Sequence, residues 1–253
     1  MSRQEIIDSH THVDKVGWFD PPETIIRLLD EAKVDRAIIM TYVDAPGRTS
    51  DALEYIAESC ARYPDRLIGY ARMNPGYGQQ AIDMFEHAIR HYGMKGLKLH
   101  PVSYLQHPAS PQTVAIVQKA AELNTPVLFH CGDEELSLPL QIARLAELVP
   151  DARIILGHCG GYFHTKDAIR VAQRHANIYL ETSAMPYPAM IRQAVESIGA
   201  HRVLYASDGP GCDPTIEVRK VRLAGLSPDE EHQLFFENID SLLRLAGRKE
   251  AQP

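Results

Sequence analysis

The sequence predicts an α/β fold, a single (β/α)8 TIM barrel, on three observations. Eight short apolar runs alternate with longer segments of helical periodicity, the pattern of a parallel sheet whose strands are linked by helices. The chain has 253 residues and 45% hydrophobic side chains, which is enough for one barrel and leaves little for a second domain. The first run ends in His10-Thr11-His12, where an open doubly wound sheet would carry a glycine-rich phosphate turn. We therefore expect residues 1–253 to form one barrel domain.

The predicted strands are short and rich in valine, isoleucine and leucine. Several are almost continuously apolar, as expected for strands that are buried on both faces. They cover residues 6–12, 36–41, 67–74, 96–101, 126–132, 153–160, 178–183 and 203–210.

The predicted helices fill the segments between these strands. They cover residues 24–33, 51–63, 79–91, 111–123, 138–149, 165–175, 188–199 and 213–223. Ser50 and Ser110 stand at N-cap positions, and Pro111 occupies a first helical position, where no N–H is needed. Ser227 and Glu230 match a capping box before a last helix that runs to about residue 245.

Composition argues against several classes of partner. The net charge of -7 and the absence of a basic run make nucleic acid an unexpected ligand. The sequence contains no apolar run of about 20 residues, so we expect no membrane span, and the first residues lack a signal-peptide layout. Four cysteines without a CxxC pair favour reduced thiols and a cytoplasmic location.

The ends of the predicted strands are unusually rich in histidine. His10 and His12 end the first strand, and side chains two apart on a strand share one face. His130, His158 and Asp208 end the fifth, sixth and eighth strands, at the barrel rim where TIM-barrel active sites lie. Imidazoles with one carboxylate suit Zn²⁺ or a similar first-row cation, so this rim is predicted to bind a divalent metal ion.

These motifs resemble those of the amidohydrolase superfamily, specifically the amidohydrolase 2 branch that includes aminocarboxymuconate semialdehyde decarboxylase. The segments that carry the resemblance are Ile7-Asp8-Ser9-His10-Thr11-His12, Gly96-Leu97-Lys98-Leu99-His100-Pro101, Val127-Leu128-Phe129-His130-Cys131-Gly132, Leu156-Gly157-His158-Cys159-Gly160-Gly161 and Tyr205-Ala206-Ser207-Asp208. Asn238 in the last helix is also similar to the C-terminal pattern of the family.

The resemblance implies a ligand set and two catalytic residues. His10, His12, His130 and Asp208 would hold one divalent ion, with Zn²⁺ expected first and Mn²⁺ as the alternative. Asp208 would also accept a proton from the activated water, and His158 would orient that water or stabilise the developing negative charge. A role for His158 as a further ligand or as a partner of a ligand stays open.

Four other residues are predicted to bind the substrate, which we expect to be a small molecule carrying a carboxylate. They are Lys98, His100, Arg72 and Tyr42. Arg72 suits a carboxylate through its planar guanidinium group. Binuclear relatives bridge two metals with a carboxylated lysine on the fourth strand, but we do not assign that role to Lys98, for which a structural ion pair also stays open. Asn74 and Ser183 lie near the same rim, and Trp18 lies in a loop at its mouth.

Three functions agree with these features. A metal-dependent hydrolase acting on a small ester, lactone or amide is the first expectation, because metal-activated water is the chemistry common to the superfamily. The alternative is a non-oxidative, metal-dependent decarboxylase of an unsaturated or aromatic acid. A metal-free barrel is disfavoured because every ligand position is filled. A homodimer is the default expectation for such a barrel.

Overall fold

The computed structural model describes residues 4–15, 21–42 and 49–247, and it confirms the TIM barrel. Trp18 lies outside the described residues. Eight parallel strands lie side by side in chain order. They are β1 (Ile7–His12), β2 (Arg36–Met40), β3 (Leu67–Arg72), β4 (Gly96–Leu99), β5 (Val127–Phe129), β6 (Ile154–Leu156), β7 (Ile178–Glu181) and β8 (Val203–Leu204).

The barrel closes between β1 and the segment that follows β8. His12 N donates to Gly209 O at 2.7 Å, and Asp208 N donates to His10 O at 2.8 Å. Thr11 and Gly209 form an isolated parallel bridge. Closure therefore fixes Asp208 beside the two histidines of β1.

A helix follows each strand, as predicted. The barrel helices are α1 (Pro22–Ala32), α2 (Asp51–Arg62), α3 (Gln79–Arg90), α4 (Pro111–Glu122), α5 (Pro139–Leu148), α6 (Thr165–Arg174), α7 (Pro188–Ile198) and α8 (Pro214–Leu223). They are followed by α9 (Pro228–His232), a π-helical turn (Gln233–Glu237) and α10 (Asn238–Leu245). In the described part of the chain, no helix combines the length and apolar character that crossing a membrane requires.

The three predicted serines all stand at N-cap positions, and two of them cap the helix with their side chains. Ser110 Oγ accepts a hydrogen bond from Thr113 N at 3.3 Å, and Ser227 forms the capping box with Glu230. Ser50 is the N-cap residue of α2, as predicted, but its backbone already has the helical conformation and its side chain makes no cap hydrogen bond. Its hydroxyl donates to Glu54 instead.

The barrel interior is apolar at its amino-terminal end. Strand side chains that point into the barrel, among them Ile7, Ile38 and Leu204, form one apolar cluster with Ile239 and Leu242 of α10. The ring of Tyr70 on β3 packs directly against Gly96. A Cβ atom at position 96 would lie only 2.4 Å from this ring. The C-terminal helix thus closes this end, and the polar residues gather at the other.

The C-terminal helical segment also holds β8 in place. Asn238 Nδ2 donates to Ala200 O at 2.8 Å and to Val203 O at 2.7 Å. In the π-helical turn, Leu234 O accepts from Tyr205 N at 2.9 Å. These bonds fix the strand whose extension carries Asp208.

Several strands end earlier than the sequence predicted. The fifth and sixth runs were expected to continue to residues 132 and 160, whereas β5 ends at Phe129 and β6 at Leu156. After β6 the chain enters a short 3-10 turn in which His158 (φ 56°) and Cys159 (φ 47°) are left-handed. The strand ladder stops where the backbone turns to present His158.

Candidate metal centre and active site

The two histidines of β1 form the base of the site. His10 and His12 are both buried, at 0% and 4% exposure. Because they are two apart on one strand, their rings point to the same side, and their Nε2 atoms lie 3.1 Å apart. Burial lowers the pKa of both imidazoles, that of His10 well below its usual value. Both rings are therefore neutral at physiological pH, with lone pairs available for a cation.

Asp208 joins this pair from the segment after β8. Its Oδ1 lies 3.1 Å from His12 Nε2 and 3.4 Å from His10 Nε2. Asp208 is left-handed, with φ 64°, a conformation that costs about 1–3 kcal/mol for a residue other than glycine. Burial raises the pKa of its carboxyl group, but the neighbouring histidines outweigh burial and the net shift is downward. The side chain is therefore a carboxylate, held in a strained position beside two imidazoles.

These three donor atoms fit a divalent cation. Ligands about 2.1 Å from one cation lie about 3.0 Å apart at octahedral angles and about 3.4 Å apart at tetrahedral angles. The three observed separations are 3.1, 3.1 and 3.4 Å. Two neutral imidazoles and a carboxylate also have the chemistry that Zn²⁺ and Mn²⁺ accept. His10, His12 and Asp208 can thus hold a cation without rearrangement of these atoms.

His158 lies beside this group. One ligand atom each of His10, His158 and Asp208 lie within 4.8 Å of one another. The Nδ1 atom of His158 is 2.9 Å from Ser183 Oγ. Burial lowers the pKa of His158 to about 3, so its ring is neutral. His158 is placed either to act on a substrate at the cation or to add a ligand.

His130 reaches the site through His158. Its Nδ1 lies 3.1 Å from His158 Nε2, and its Nε2 lies 3.1 Å from Glu134 Oε2. The ring of His100 stacks on that of His130, with centroids 4.0 Å apart and an interplanar angle of 3°. The ligand role of His130 stays a prediction, because the contacts that define its position involve His158 and Glu134.

The predicted substrate-binding residues surround the same group. Lys98 is buried, its Nζ lies 2.8 Å from His10 Nε2, and burial lowers its pKa to about 7. Arg72 is 7% exposed and donates from Nη1 to Thr41 O and from Nη2 to a serine hydroxyl, both at 3.3 Å. Tyr42 packs edge-on against His12, with centroids 5.1 Å apart, and is 44% exposed. Two cationic side chains therefore lie in the wall of the site.

Some residues near the rim serve the fold. The side chain of Asn74 accepts from Gly76 N at 2.9 Å and so stabilises a turn, which gives it a local structural role. Cys131 and Cys159 belong to the apolar core outside the barrel strands. Burial raises the pKa of the Cys159 thiol to about 12, and the place of both cysteines in that core gives them a packing role.

Glu181, at the end of β7, was missed by the sequence analysis. It is completely buried, and its Oε1 lies 3.1 Å from His10 Nδ1. The same oxygen accepts from the backbone N–H of His158 at 2.8 Å and from Ser183 Oγ at 2.9 Å. An ionisable residue within an otherwise apolar strand is a signal that could have identified it, since an isolated buried charge is costly.

Comparison with known proteins supports the same family and fold. The amidohydrolase family model matches residues 7–245. No curated protein matches the sequence. Among solved structures, the chain is similar to 2,6-dihydroxybenzoate decarboxylase from Rhizobium, with 16% identity over 96% of this chain and 99% of that one and a TM-score of 0.75. It is also similar to 5-carboxyvanillate decarboxylase from Sphingomonas paucimobilis, with 14% identity over 96% and 99% and a TM-score of 0.78.

A third similar structure is a dihydroxybenzoic acid decarboxylase from Polaromonas, determined with bound manganese and the inhibitor 2-nitroresorcinol. Its identity is 17% over 96% of this chain and 98% of that one, with a TM-score of 0.75. At such identities these structures show a shared fold. The family model, in contrast, extends from β1 to α10 and includes every motif on which the resemblance was based. The protein therefore belongs to the amidohydrolase family, in its amidohydrolase 2 branch.

Proposed function

We propose that this protein is a metal-dependent decarboxylase of a small aromatic or unsaturated carboxylic acid. The observation that carries the proposal is a histidine and aspartate cation site with two buried cationic side chains, Lys98 and Arg72, in its wall. Such a pocket attracts a carboxylate. The similar structures named above are decarboxylases of dihydroxybenzoate and 5-carboxyvanillate, which supports decarboxylation more than the hydrolysis that the sequence first favoured.

The residues that would hold the cation are His10, His12 and Asp208, with His130 proposed as the fourth. When bound, the cation supplies positive charge that stabilises negative charge on substrate oxygens. Manganese is the first metal to test because a similar decarboxylase structure contains it. The zinc expectation has no such specific support, although the ligand types suit both ions.

Binding of the substrate carboxylate is assigned to Arg72 and Lys98. The guanidinium group of Arg72 already donates to neutral oxygens of the β2 and β4 loops, which fixes its orientation toward the site. The pKa of Lys98 is lowered to about 7 by burial, and an anion bound beside it favours the charged ammonium form. Tyr42 and His100 would contribute ring surfaces for an aromatic substrate.

Decarboxylation replaces a carbon–carbon bond with a carbon–hydrogen bond, so a proton must reach the substrate carbon as carbon dioxide leaves. We assign proton transfer to Asp208, whose carboxylate would first take a proton from solvent water or from a substrate hydroxyl and then deliver it to that carbon. Its side chain is 24% exposed. With Nδ1 bound to Ser183, His158 would orient the substrate through Nε2, the atom that lies 3.1 Å from His130 Nδ1. Both residues lie at the cation site, so binding and proton transfer occur at one place.

The proposal is tested by turnover of the manganese-loaded protein on hydroxybenzoates, unsaturated acids, lactones and amides, with carbon dioxide and acid release both recorded. We expect carbon dioxide from at least one acid and its loss in Asp208→Asn. Glu122→Gln, at the exposed end of α4, is the matched control and should retain activity. Acid release from a lactone or amide without carbon dioxide from any acid would support hydrolysis instead.

A further inference from the structure

We infer that Glu181 is a positioning residue, which fixes the tautomers of His10 and His158 through a single buried carboxylate. The inference rests on the proposed function in that His10 is taken as a metal ligand and His158 as the residue beside the substrate. Glu181 lies at the carboxyl end of β7, where its side chain contacts the His10 ring and the backbone N–H of His158. Glu181 acts through the two histidine rings and not on the substrate itself.

The direction of each hydrogen bond at Glu181 follows from its backbone partners. A backbone N–H can only donate, and Oε1 receives that of His158 at 2.8 Å while Oε2 receives that of Ser183 at 2.6 Å. Both oxygens of Glu181 thus accept hydrogen bonds from groups that can only donate. Ser183 Oγ also donates to Oε1, so His10 Nδ1 faces an oxygen that already acts as an acceptor.

His10 is therefore constrained at both nitrogens. Its Nδ1 lies 3.1 Å from Glu181 Oε1, so Nδ1 carries the hydrogen and Nε2 carries the lone pair. The contact at the other nitrogen agrees with this tautomer, because Lys98 Nζ lies 2.8 Å from His10 Nε2 and can donate a hydrogen bond to it. The lone pair thus points toward His12 and Asp208, the direction that a metal ligand needs.

His158 is constrained through a serine. Ser183 Oγ donates its one hydrogen to Glu181 Oε1 at 2.9 Å. The same hydroxyl oxygen lies 2.9 Å from His158 Nδ1, which must then donate to it. The lone pair of a neutral His158 ring is consequently on Nε2. Glu181 sets this tautomer through Ser183, while it sets that of His10 directly.

The direct contact of Glu181 with His10 and its contact with His158 through Ser183 predict different results for two variants. Glu181→Gln places an amide that can both donate and accept beside His10 and Ser183, so both tautomers lose their constraint. Loss of such a partner of a metal-ligating histidine typically lowers metal affinity about 10–100-fold. Ser183→Ala removes only the hydroxyl link, so it should change the tautomer of His158 and lower kcat while Mn²⁺ affinity stays within about threefold of wild type.

The test combines nitrogen-15 NMR of the histidine rings with calorimetric titration of Mn²⁺. In metal-free wild-type protein we expect both His10 and His158 as Nδ1–H tautomers, assigned by the signals lost in His10→Gln and His158→Gln. Glu181→Gln should mix the tautomers of both rings and weaken Mn²⁺ binding. Glu217→Gln is the matched control, because it removes another buried carboxylate, one that pairs with Lys220 on α8, and should leave both readouts unchanged.

Two results would overturn the inference. One is an Nε2–H tautomer at either ring in the wild-type protein, a measurement that does not depend on the folding of any variant. The other is a folded Glu181→Gln protein with unchanged tautomers and Mn²⁺ affinity. Wild-type protein that binds Mn²⁺ with the expected tautomers but releases no carbon dioxide would refute the proposed function alone, whereas active protein with the opposite tautomers would refute only the role of Glu181.

Discussion

The buried histidines predict that the metal-free protein loses stability in mild acid. Burial lowers the pKa of His158 to about 3, from an ordinary value of 6.5. His10 and His100 shift in the same direction for the same reason. In the unfolded chain these imidazoles are protonated below about pH 6.5, whereas the folded protein keeps them neutral. Their contribution to stability is therefore present above the unfolded pKa and decreases as the pH falls below it.

The size of the effect follows from linkage. For a histidine that stays neutral in the folded state, lowering the pH from about 7.5 to about 5.5 favours the unfolded state by about 1.4 kcal/mol, because roughly ten unfolded rings in eleven become protonated. This value depends only weakly on the folded pKa, provided that it lies well below 5.5. His158 meets that condition with a pKa of about 3.

The measurement is urea unfolding in the presence of a chelator at the two pH values. The loss of unfolding free energy between them should be about 1.4 kcal/mol smaller in His158→Gln than in wild type, because the substituted side chain takes up no proton. His201→Gln is the control, since this exposed ring contacts water in both states, and it should leave the wild-type loss unchanged.

The reasoning fails if wild type and His158→Gln lose the same free energy on acidification. Equal losses would mean that His158 is protonated in the folded protein at pH 5.5, or that water reaches its ring. Either would contradict the burial of this ring, which is 7% exposed.

Further predictions concern the frame of the site. Asn238→Ala removes two hydrogen bonds that hold β8 and should lower the free energy of unfolding by about 2 kcal/mol in urea titration. Gly96→Ala places a methyl group against the buried Tyr70 ring and should cost about 3 kcal/mol in the same assay, a penalty that a smaller ring at position 70 would reduce. Burial raises the pKa of the Cys60 and Cys159 thiols to about 12, so an alkylating reagent near pH 8 should modify them slowly in folded protein and rapidly in urea. Fast modification without urea would contradict the core placement.

The sequence predicted the elements of the fold well because local and periodic signals specify them. Buried parallel strands are continuous apolar runs and barrel helices are amphipathic, so the order of elements could be read along the chain. It also predicted that His10, His12 and Asp208 lie close together, as they do, because the carboxyl ends of barrel strands meet at one rim. Residues two apart on one strand needed no further geometry to be placed together.

Other features depended on the tertiary structure. The sequence does not indicate that His158 and Asp208 adopt left-handed backbones, since non-glycine residues do so only where surrounding contacts hold them. The sequence also predicted ends for β5 and β6 that were too late in the chain. The end of a strand depends on where its pairing with neighbouring strands stops, which the sequence does not show.

Glu181 gives the clearest contrast. In the sequence Glu181 is one acidic residue in a predicted strand, and the residues next to it do not indicate which side chains it contacts. Its function follows from contacts with His10, 171 positions away, and with His158, 23 positions away. The sequence by itself determined which side chains reach the rim of the barrel. Only the closed barrel decided which of them contact one another, because those contacts join strands that are distant along the chain.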